Sequence, residues 1–342
     1  MTSRGLSGPA NSAPVVYYAL GGGLGHVTRS IAILRQMAKR GLPGGIALTN
    51  SPHHALYARE GLVAASIGPE AGQPADALAQ WVAGRLAHWL PQLLVVDAFP
   101  RGLLGELPPV LARFAGRTAL VLRRLREGYA REYRLREFVA AHYDVVLAAE
   151  VLPGAPWVSR TGAARDVGPV LVRDAEELRT REDARRRLGA AADRILVVGV
   201  ESGPGEHAGA LHSVLSRVWE RLGRLFDLRL AGAGGAVSHY PLIELLPGVD
   251  VVVGAGGYNL FHECQAVGVP AVFVPQRRRY DEQFARVAGA TVASSPEHLE
   301  RILASHVAAG PRLRPAPRYT NGAASAAGAL LELLGASDAS IC

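Results

Sequence analysis

Short β-branched runs alternate with helical patterns along the whole chain. Strands are predicted at about 15–20 (VVYYAL), 45–49 (GIALT), 63–67 (VAASI), 93–97 (LLVVD), 118–122 (TALVL) and 144–148 (DVVLA). Between them lie amphipathic patterns such as 27–40, where Ile31, Leu34 and Ala38 recur at three and four residues, and 130–141. A second series of strands is predicted at 194–200 (RILVVGV), 226–231 (FDLRLA), 249–253 (VDVVV) and 270–274 (PAVFV). These runs are almost continuously apolar, as strands are when both faces of a parallel sheet are covered by helices. The alternation therefore predicts an α/β chain with two tandem Rossmann-like, doubly wound domains.

The two series are separated by a stretch rich in Pro and Gly, with PGAPW at 153–157 and VGPV at 167–170, and then a charged helical pattern at about 174–188. A linker is placed near 152–170. The expected organisation is a disordered tail at 1–13, an N-terminal domain at 14–160, a C-terminal domain at 161–318, and a terminal helix within 319–342. Pro311, Pro315 and Pro317 set that last helix apart, so it is expected to return to the first domain. Two doubly wound sheets in tandem predict a cleft faced by the carboxyl ends of both sets of strands, where ligands bind.

Composition narrows the class. The 342 residues are 49% hydrophobic and 20% charged, ordinary globular values that exclude a collagen or a wholly disordered chain. The longest apolar runs, 93–99 and 249–257, fall well short of the ~18 to 20 residues of a membrane span. No signal-peptide pattern precedes the first strand. Two cysteines, Cys264 and Cys342, exclude a disulfide framework and a CxxC site, which points to a reducing, cytoplasmic setting. The net charge is +7, and the 37 cations are 36 arginines and Lys39. That skew, with abundant alanine, reads as a GC-rich bacterial coding style, so no nucleic-acid partner is inferred from it. The arginines of 123–138 and 181–189 are interleaved with carboxylates, as on solvated helix faces. The alternative partner for them is a polyphosphate or an anionic membrane surface, touched peripherally on its inner face.

Two segments carry candidate chemistry. GGGLGHVTRS, Gly21 to Ser30, follows the first strand and opens a helix whose N-terminus offers free N–H groups to an anion. It departs from the dinucleotide fingerprint: His26 stands where the third glycine belongs, and ALTNSPHH ends the second strand without the acidic residue that NAD requires. A histidine at such a helix start is a candidate general base. Asp97, at the end of the fourth strand, is a second. The other segment, Val251 to Val287, runs strand, Gly-rich turn, helix from about Tyr258, strand, and a polar loop ending in Asp281, Glu282 and Gln283. Backbone N–H groups at Gly256, Gly257 and Tyr258 can cradle a phosphate, and Glu263 can accept hydrogen bonds from a vicinal diol such as a ribose. GxxxxGK[ST] is absent, which removes P-loop phosphoryl transfer. There is no Asp-x-Asp and no His or Cys pair at ligand spacing, so no metal is expected. His239, His262 and Glu201 read as structural, and Cys264 as a buried helix residue.

These two segments resemble the signature regions of GT-B glycosyltransferases, especially the bacterial enzyme that adds N-acetylglucosamine to the lipid-linked peptidoglycan precursor. The likeness spans about residues 14–335; VDAFPRGLLGEL, at 96–107, is similar to a segment in a group of bacterial enzymes predicted to be glycosyltransferases. The resemblance implies two Rossmann-like domains facing a cleft, a nucleotide-sugar donor (a UDP-sugar favoured) on the second, an unidentified acceptor on the first, a hexosyl transfer with inversion, and neither cofactor nor metal. It places Gly256 and Gly257 on the diphosphate, with Ser202, Gly203 and Gly205 as further phosphate contacts. It places Glu263 on the ribose, Gln283 and Glu282 on sugar hydroxyls, Leu242 by the nucleobase, and Tyr258 and Asn259, where the peptidoglycan enzyme has small residues, in the sugar pocket. Gly23 and Gly25 join the donor set from the first loop, and His26 serves as base or diphosphate partner. A nucleotide-sugar hydrolase on the same fold and a non-catalytic nucleotide-sugar-binding protein remain the alternatives.

Overall fold

The computed structural model describes residues 13–338 apart from 22, 43, 68–73, 202–208, 233, 234 and 236. Residues 1–12 of the tail expected at 1–13 and the candidate ligands Ser202, Gly203 and Gly205 lie outside the described residues, whereas Ala13 is buried and its N–H bonds the Trp89 carbonyl. The chain divides into two compact units, 1–170 with 322–342, and 171–321.

The first unit is built on β1 (Val15–Tyr18), β2 (Ile46–Thr49), β3 (Val63–Ser66), β4 (Leu93–Asp97), β5 (Arg117–Leu122) and β6 (Val145–Ala148). A two-residue pair, β7 (Val158–Ser159) and β8 (Gly162–Ala163), precedes β9 (Arg165–Asp166). The main sheet has the order β3-β2-β1-β4-β5-β6-β9 and is parallel throughout. Because β9 pairs with β6, the first unit runs on to Val170, beyond the boundary expected at 160. Its helices are α1 (Leu24–Lys39), α2 (Ala55–Arg59), α3 (Ala75–Trp89), α4 (Leu107–Leu111), α5 (Glu127–Glu132) and α6 (Leu135–His142). Side chains alternate between the two faces of each strand. Val16, Tyr18, Leu94 and Val96 join one core with Leu78, Val82 and Leu86 of α3. Tyr17 and Asp97 face the other way, toward α1.

Two local readings change. The helix expected over 130–141 is split at Arg134, which adopts a left-handed φ of 47° between α5 and α6. The stretch between the strands predicted at 63–67 and 93–97, where no helix is singled out from the sequence, contains the 15-residue α3, whose Leu78, Val82 and Leu86 recur every four residues and are buried.

The second unit holds a five-stranded parallel sheet: β10 (Leu196–Val200), β11 (Asp227–Ala231), β12 (Val251–Gly254), β13 (Ala271–Phe273) and β14 (Thr291–Val292), in the order β11-β10-β12-β13-β14. Its helices are α7 (Arg181–Arg187), α8 (Ala210–Arg221), α9 (Tyr258–Val267), α10 (Gln283–Arg286) and α11 (Pro296–Ala309). The charged helix expected over 174–188 is a 3-10 turn, Ala175–Glu177, closed by a reciprocal Asp174/Glu177 capping box, followed by α7 with Thr180 as its N-cap. Asp250, just before β12, ties this unit together: it pairs with Arg181 at 2.6 Å and Arg185 at 2.8 Å and accepts from the Leu196 N–H.

The terminal helix α12 (Gly322–Asp338) packs on α1 of the first unit through fully buried Ala323, Ala326, Ala327 and Leu330. A Cβ at Gly322 would sit 2.3 Å from the Gly168 carbonyl oxygen, so glycine is needed where the chain re-enters this unit. Among the described residues no helix is long and apolar enough to cross a membrane.

Candidate functional site

In the first unit α1 starts at the carboxyl end of β1, with Gly23 as N-cap, Gly25 in the first turn, and His26 in the same turn. A Cβ added at Gly23 would meet nothing within 4 Å. The four residues β1 supplies are fully buried, so α1 is held against the sheet by a rigid base. His26 Nδ1 lies 2.5 Å from Asp97 Oδ2 at the end of β4. Arg29, one turn along α1, donates from Nε to Oδ1 at 3.0 Å and from its terminal nitrogen to Oδ2 at 2.6 Å. Tyr17 donates its hydroxyl to Oδ1 at 3.3 Å.

The electrostatics follow from burial and the arginine. Asp97 is 0% exposed, and burial alone would raise its carboxyl. Arg29, then His26, outweigh that and hold it well below the usual carboxylate range. For His26, burial lowers the imidazole below its ordinary value; the hydrogen bond and charge of Asp97 oppose this, and Arg29 and Arg123 add to the lowering. A carboxylate accepts only, so Nδ1 is the protonated nitrogen and Nε2 carries the lone pair. Nε2 lies over Gly21: a Cβ built there would be 2.2 Å from it. The Phe99 ring stands 5.2 Å from the imidazole. Asp97 itself is sealed off and its oxygens are occupied, which removes it as a base and makes it the group that orients His26.

In the second unit β12 ends in the turn Gly254 to Gly257, and α9 follows. Gly256 has φ +32° with its hydrogen aimed at Val287, and Gly257, the N-cap, has no side-chain cap and open space where a Cβ would lie. The first amides of α9, Tyr258 to Leu260, have no partner within the helix. Phe261 makes the first intrahelical bond, to the Gly257 carbonyl. Tyr258 is buried with its ring edge-on to His262 at 4.6 Å and the Arg286 guanidinium 5.9 Å from its centroid. Asn259 is half-buried and its Oδ1 is buried without a hydrogen-bond partner. Glu263, on α9, is 8% exposed, and burial lifts its carboxyl to about 7. Cys264 is buried and its thiol is pushed far up by that burial and by Glu263.

Gln283 opens α10 next to this turn, but its Oε1 accepts from the Gln276 N–H at 2.9 Å, leaving only its amide N–H groups to offer. Glu282 is the half-buried residue just before α10. Leu242, half-buried, starts the 3-10 turn Leu242–Gly248. That turn also holds Glu244, which accepts from Arg173 at 2.6 Å and His239 at 3.0 Å. Glu201, half-buried just after β10, faces His212 at 3.3 Å.

Sequence reasoning missed Arg29, which sits three residues after His26 on the same helix face, and Arg286, which reaches the Gly256 carbonyl at 3.3 Å and Asp281 at 2.8 Å. Helical spacing from His26 was the available signal for Arg29. Among the described residues no group of three or more His, Cys, Asp or Glu is placed to hold a metal. A cavity of about 660 Å³ lies between α3 and α4 at the amino ends of β4 and β5, the opposite edge of the sheet from His26.

The fold is the pair of Rossmann-like domains found in GT-B glycosyltransferases. Three solved structures share it over nearly their full length. The glycotransferase of kitacinnamycin is 17% identical, with 94% of this chain and 99% of that chain aligned at a TM-score of 0.60. MurG of Acinetobacter baumannii is 14% identical over 93% and 99%, at 0.55. The spinosyn rhamnosyltransferase SpnG, solved with thymidine diphosphate, is 14% identical over 94% and 96%, at 0.54. No protein-family model matches the chain. No curated protein matches it in sequence.

Proposed function

We propose that the chain is a metal-independent glycosyltransferase that moves a sugar from a nucleoside-diphosphate sugar to an acceptor hydroxyl. The observation that carries this reading is the His26–Asp97–Arg29 array at the carboxyl end of the first sheet. A neutral imidazole with its Nδ1–H fixed on a buried carboxylate presents Nε2 as a base at neutral pH. Nε2 takes the proton of the acceptor hydroxyl, the oxygen attacks the anomeric carbon, and the bond to the diphosphate oxygen breaks as the nucleoside diphosphate departs. The imidazolium that forms is stabilised by Asp97, which stays ionised because Arg29 remains beside it.

The second unit supports the donor half. The helix start at α9, the bare Gly257 and the unpartnered Asn259 oxygen suit a diphosphate and its sugar, and the helix dipole offsets the leaving group's charge where a metal would otherwise be needed. Glu263 is a buried carboxyl that pairs with no cation among the described residues, suited to ribose hydroxyls. Two nucleosides compete: uridine, from the likeness to the peptidoglycan enzyme, and thymidine, whose diphosphate is bound in the SpnG complex. Displacement of the leaving group by a single attack gives inversion.

The test is a panel of UDP- and dTDP-sugars with EDTA present, read by thermal shift and by release of nucleoside diphosphate. Binding without metal is expected, and release that depends on added acceptor. Stabilisation only with magnesium or manganese would reject the metal-free site, and full release without acceptor would make the protein a hydrolase. His26→Asn should lower turnover about 10² to 10⁴-fold with donor affinity within a few fold. Near-normal turnover in that variant would remove His26 as the base.

A further inference from the structure

The segment after β4, Ala98 to Glu106, is more firmly held than a surface connection needs to be. Glu106 is 1% exposed, and its carboxylate accepts from the Leu103 N–H at 3.2 Å, the Leu104 N–H at 2.8 Å and the Tyr18 hydroxyl of β1. Among the described residues no cation pairs with it. Gly102 has φ +86°, and a Cβ there would lie 2.5 Å from the Glu106 carboxyl, so the loop is wrapped around this one side chain. Tyr143, just before β6, donates its hydroxyl to the Pro100 carbonyl at 2.6 Å, and the Leu107 N–H bonds the Arg101 carbonyl. At the loop's other end Ala98 takes φ +63°, a left-handed conformation that strains a non-glycine residue and persists only where its surroundings enforce it. The product of this turn is the placement of Phe99, 4% exposed, beside the His26 ring.

We propose that Glu106 is a positioning residue whose carboxylate clamps the 98–105 loop so that Phe99 covers the imidazole of His26. It touches neither the base nor any substrate; it acts through Phe99. The proposal rests on His26 being the base only for its consequence in turnover. The charged and titratable groups that face His26 are Arg29 on its own helix, Tyr17 of β1, Asp97 of β4 and Arg123 beyond β5. Tyr57 of α2 stands behind them, 2.5 Å from Ser30. None of these contacts is made by Glu106, so a change at Glu106 reaches the imidazole through the loop.

The experiment is a titration of the His26 ring by NMR with ¹³C-labelled histidine, assigned by loss of the signal in His26→Asn. The proteins are the wild type, Glu106→Gln, Phe99→Ala and the double variant. Glu106→Gln replaces one acceptor oxygen by a donor, so at least one loop N–H loses its partner. With Phe99 released, water reaches the ring, and the midpoint should rise toward the unperturbed ~6.5 in each single variant. The double variant should show no further rise, since both changes remove the same cover. Turnover in Glu106→Gln should fall about tenfold with donor KM within about twofold. A folded Glu106→Gln protein with an unmoved His26 midpoint overturns the proposal, as do single shifts that add. If Glu106→Gln fails to fold, Tyr18→Phe, which withdraws one donor from the same carboxylate, must give a smaller rise of the same sign or the clamp is rejected. Midpoints that move as expected in a protein without transferase activity would leave the clamp standing and reject the enzymatic reading instead.

Discussion

Glu263 gives the most direct quantitative prediction, because burial is the cause that shifts its carboxyl. Burial raises it from the ordinary 4.5 to about 7, with no opposing contribution. Between those values the folded second unit holds a proton that the unfolded chain has released. More protons on the folded state means that stability falls as pH rises, the reverse of the usual carboxylate behaviour. The gap of about 2.5 pH units, at about 1.4 kcal/mol each, sets the full loss at roughly 3 to 4 kcal/mol once the pH is well above 7. Glu263→Gln keeps the shape and removes the titration. Urea unfolding of both proteins at pH 5, 6, 7 and 8 should show the variant gaining on the wild type by roughly 2 to 3 kcal/mol from the acid to the alkaline end, because part of the loss already lies below pH 5. His26 pulls the other way, since a lowered imidazole contributes stability above its unfolded value of ~6.5 and loses it as pH falls, but it is common to both proteins and cancels in the difference.

The same carboxylate links stability to the proposed donor. Ribose hydroxyls would donate hydrogen bonds to the ionised Glu263, so a nucleoside diphosphate should stabilise the wild type more at pH 8 than at pH 6. That excess should vanish in Glu263→Gln. Parallel pH profiles for the two unliganded proteins would refute the burial argument itself, whereas divergent profiles with no pH-dependent ligand effect would leave the buried carboxyl intact and remove it from the ribose.

Asp97→Asn should cost about 3 to 5 kcal/mol by leaving Arg29, whose side chain is 2% exposed, without its counter-charge, and should lower turnover about 10² to 10⁴-fold by freeing the His26 tautomer. Because the Asp97 carboxyl is depressed on folding, its contribution is present above ~3.9 and lost as pH falls through the folded value; the variant's acid arm should therefore be flatter, and an unchanged acid arm by circular dichroism would contradict the ion-pair account. Gly256→Ala places a methyl 2.5 Å from Val287 Cγ1 at a positive φ and should destabilise the second unit by about 2 kcal/mol, with Val287→Ala restoring part of it. Simple addition of the two losses in a denaturation cycle would exclude the contact as the cause.

The central strands were legible because they are buried on both faces and so read as apolar runs; every residue of β1 and β4 and the three valines of β12 are 0% exposed. Short elements whose stability comes from a neighbour were not. β9 is Arg165–Asp166, polar and two residues long, and exists because β6 offers an edge; it moves the boundary of the first unit to Val170. At the site, sequence gave residue types at strand ends and helix starts, which is how His26, Asp97 and Glu263 could be named. It could not give which of two acids or bases is sealed. Asp97 reads as a base by position, yet Tyr17 and Arg29, brought 80 and 68 residues through the fold, close it from solvent and turn it into the partner of His26. The assignment of roles thus depends on contacts between distant segments, and so does Glu106. In the sequence it is one carboxylate in an apolar stretch, and only the fold shows that three donors and a glycine are arranged around it to hold Phe99 in place.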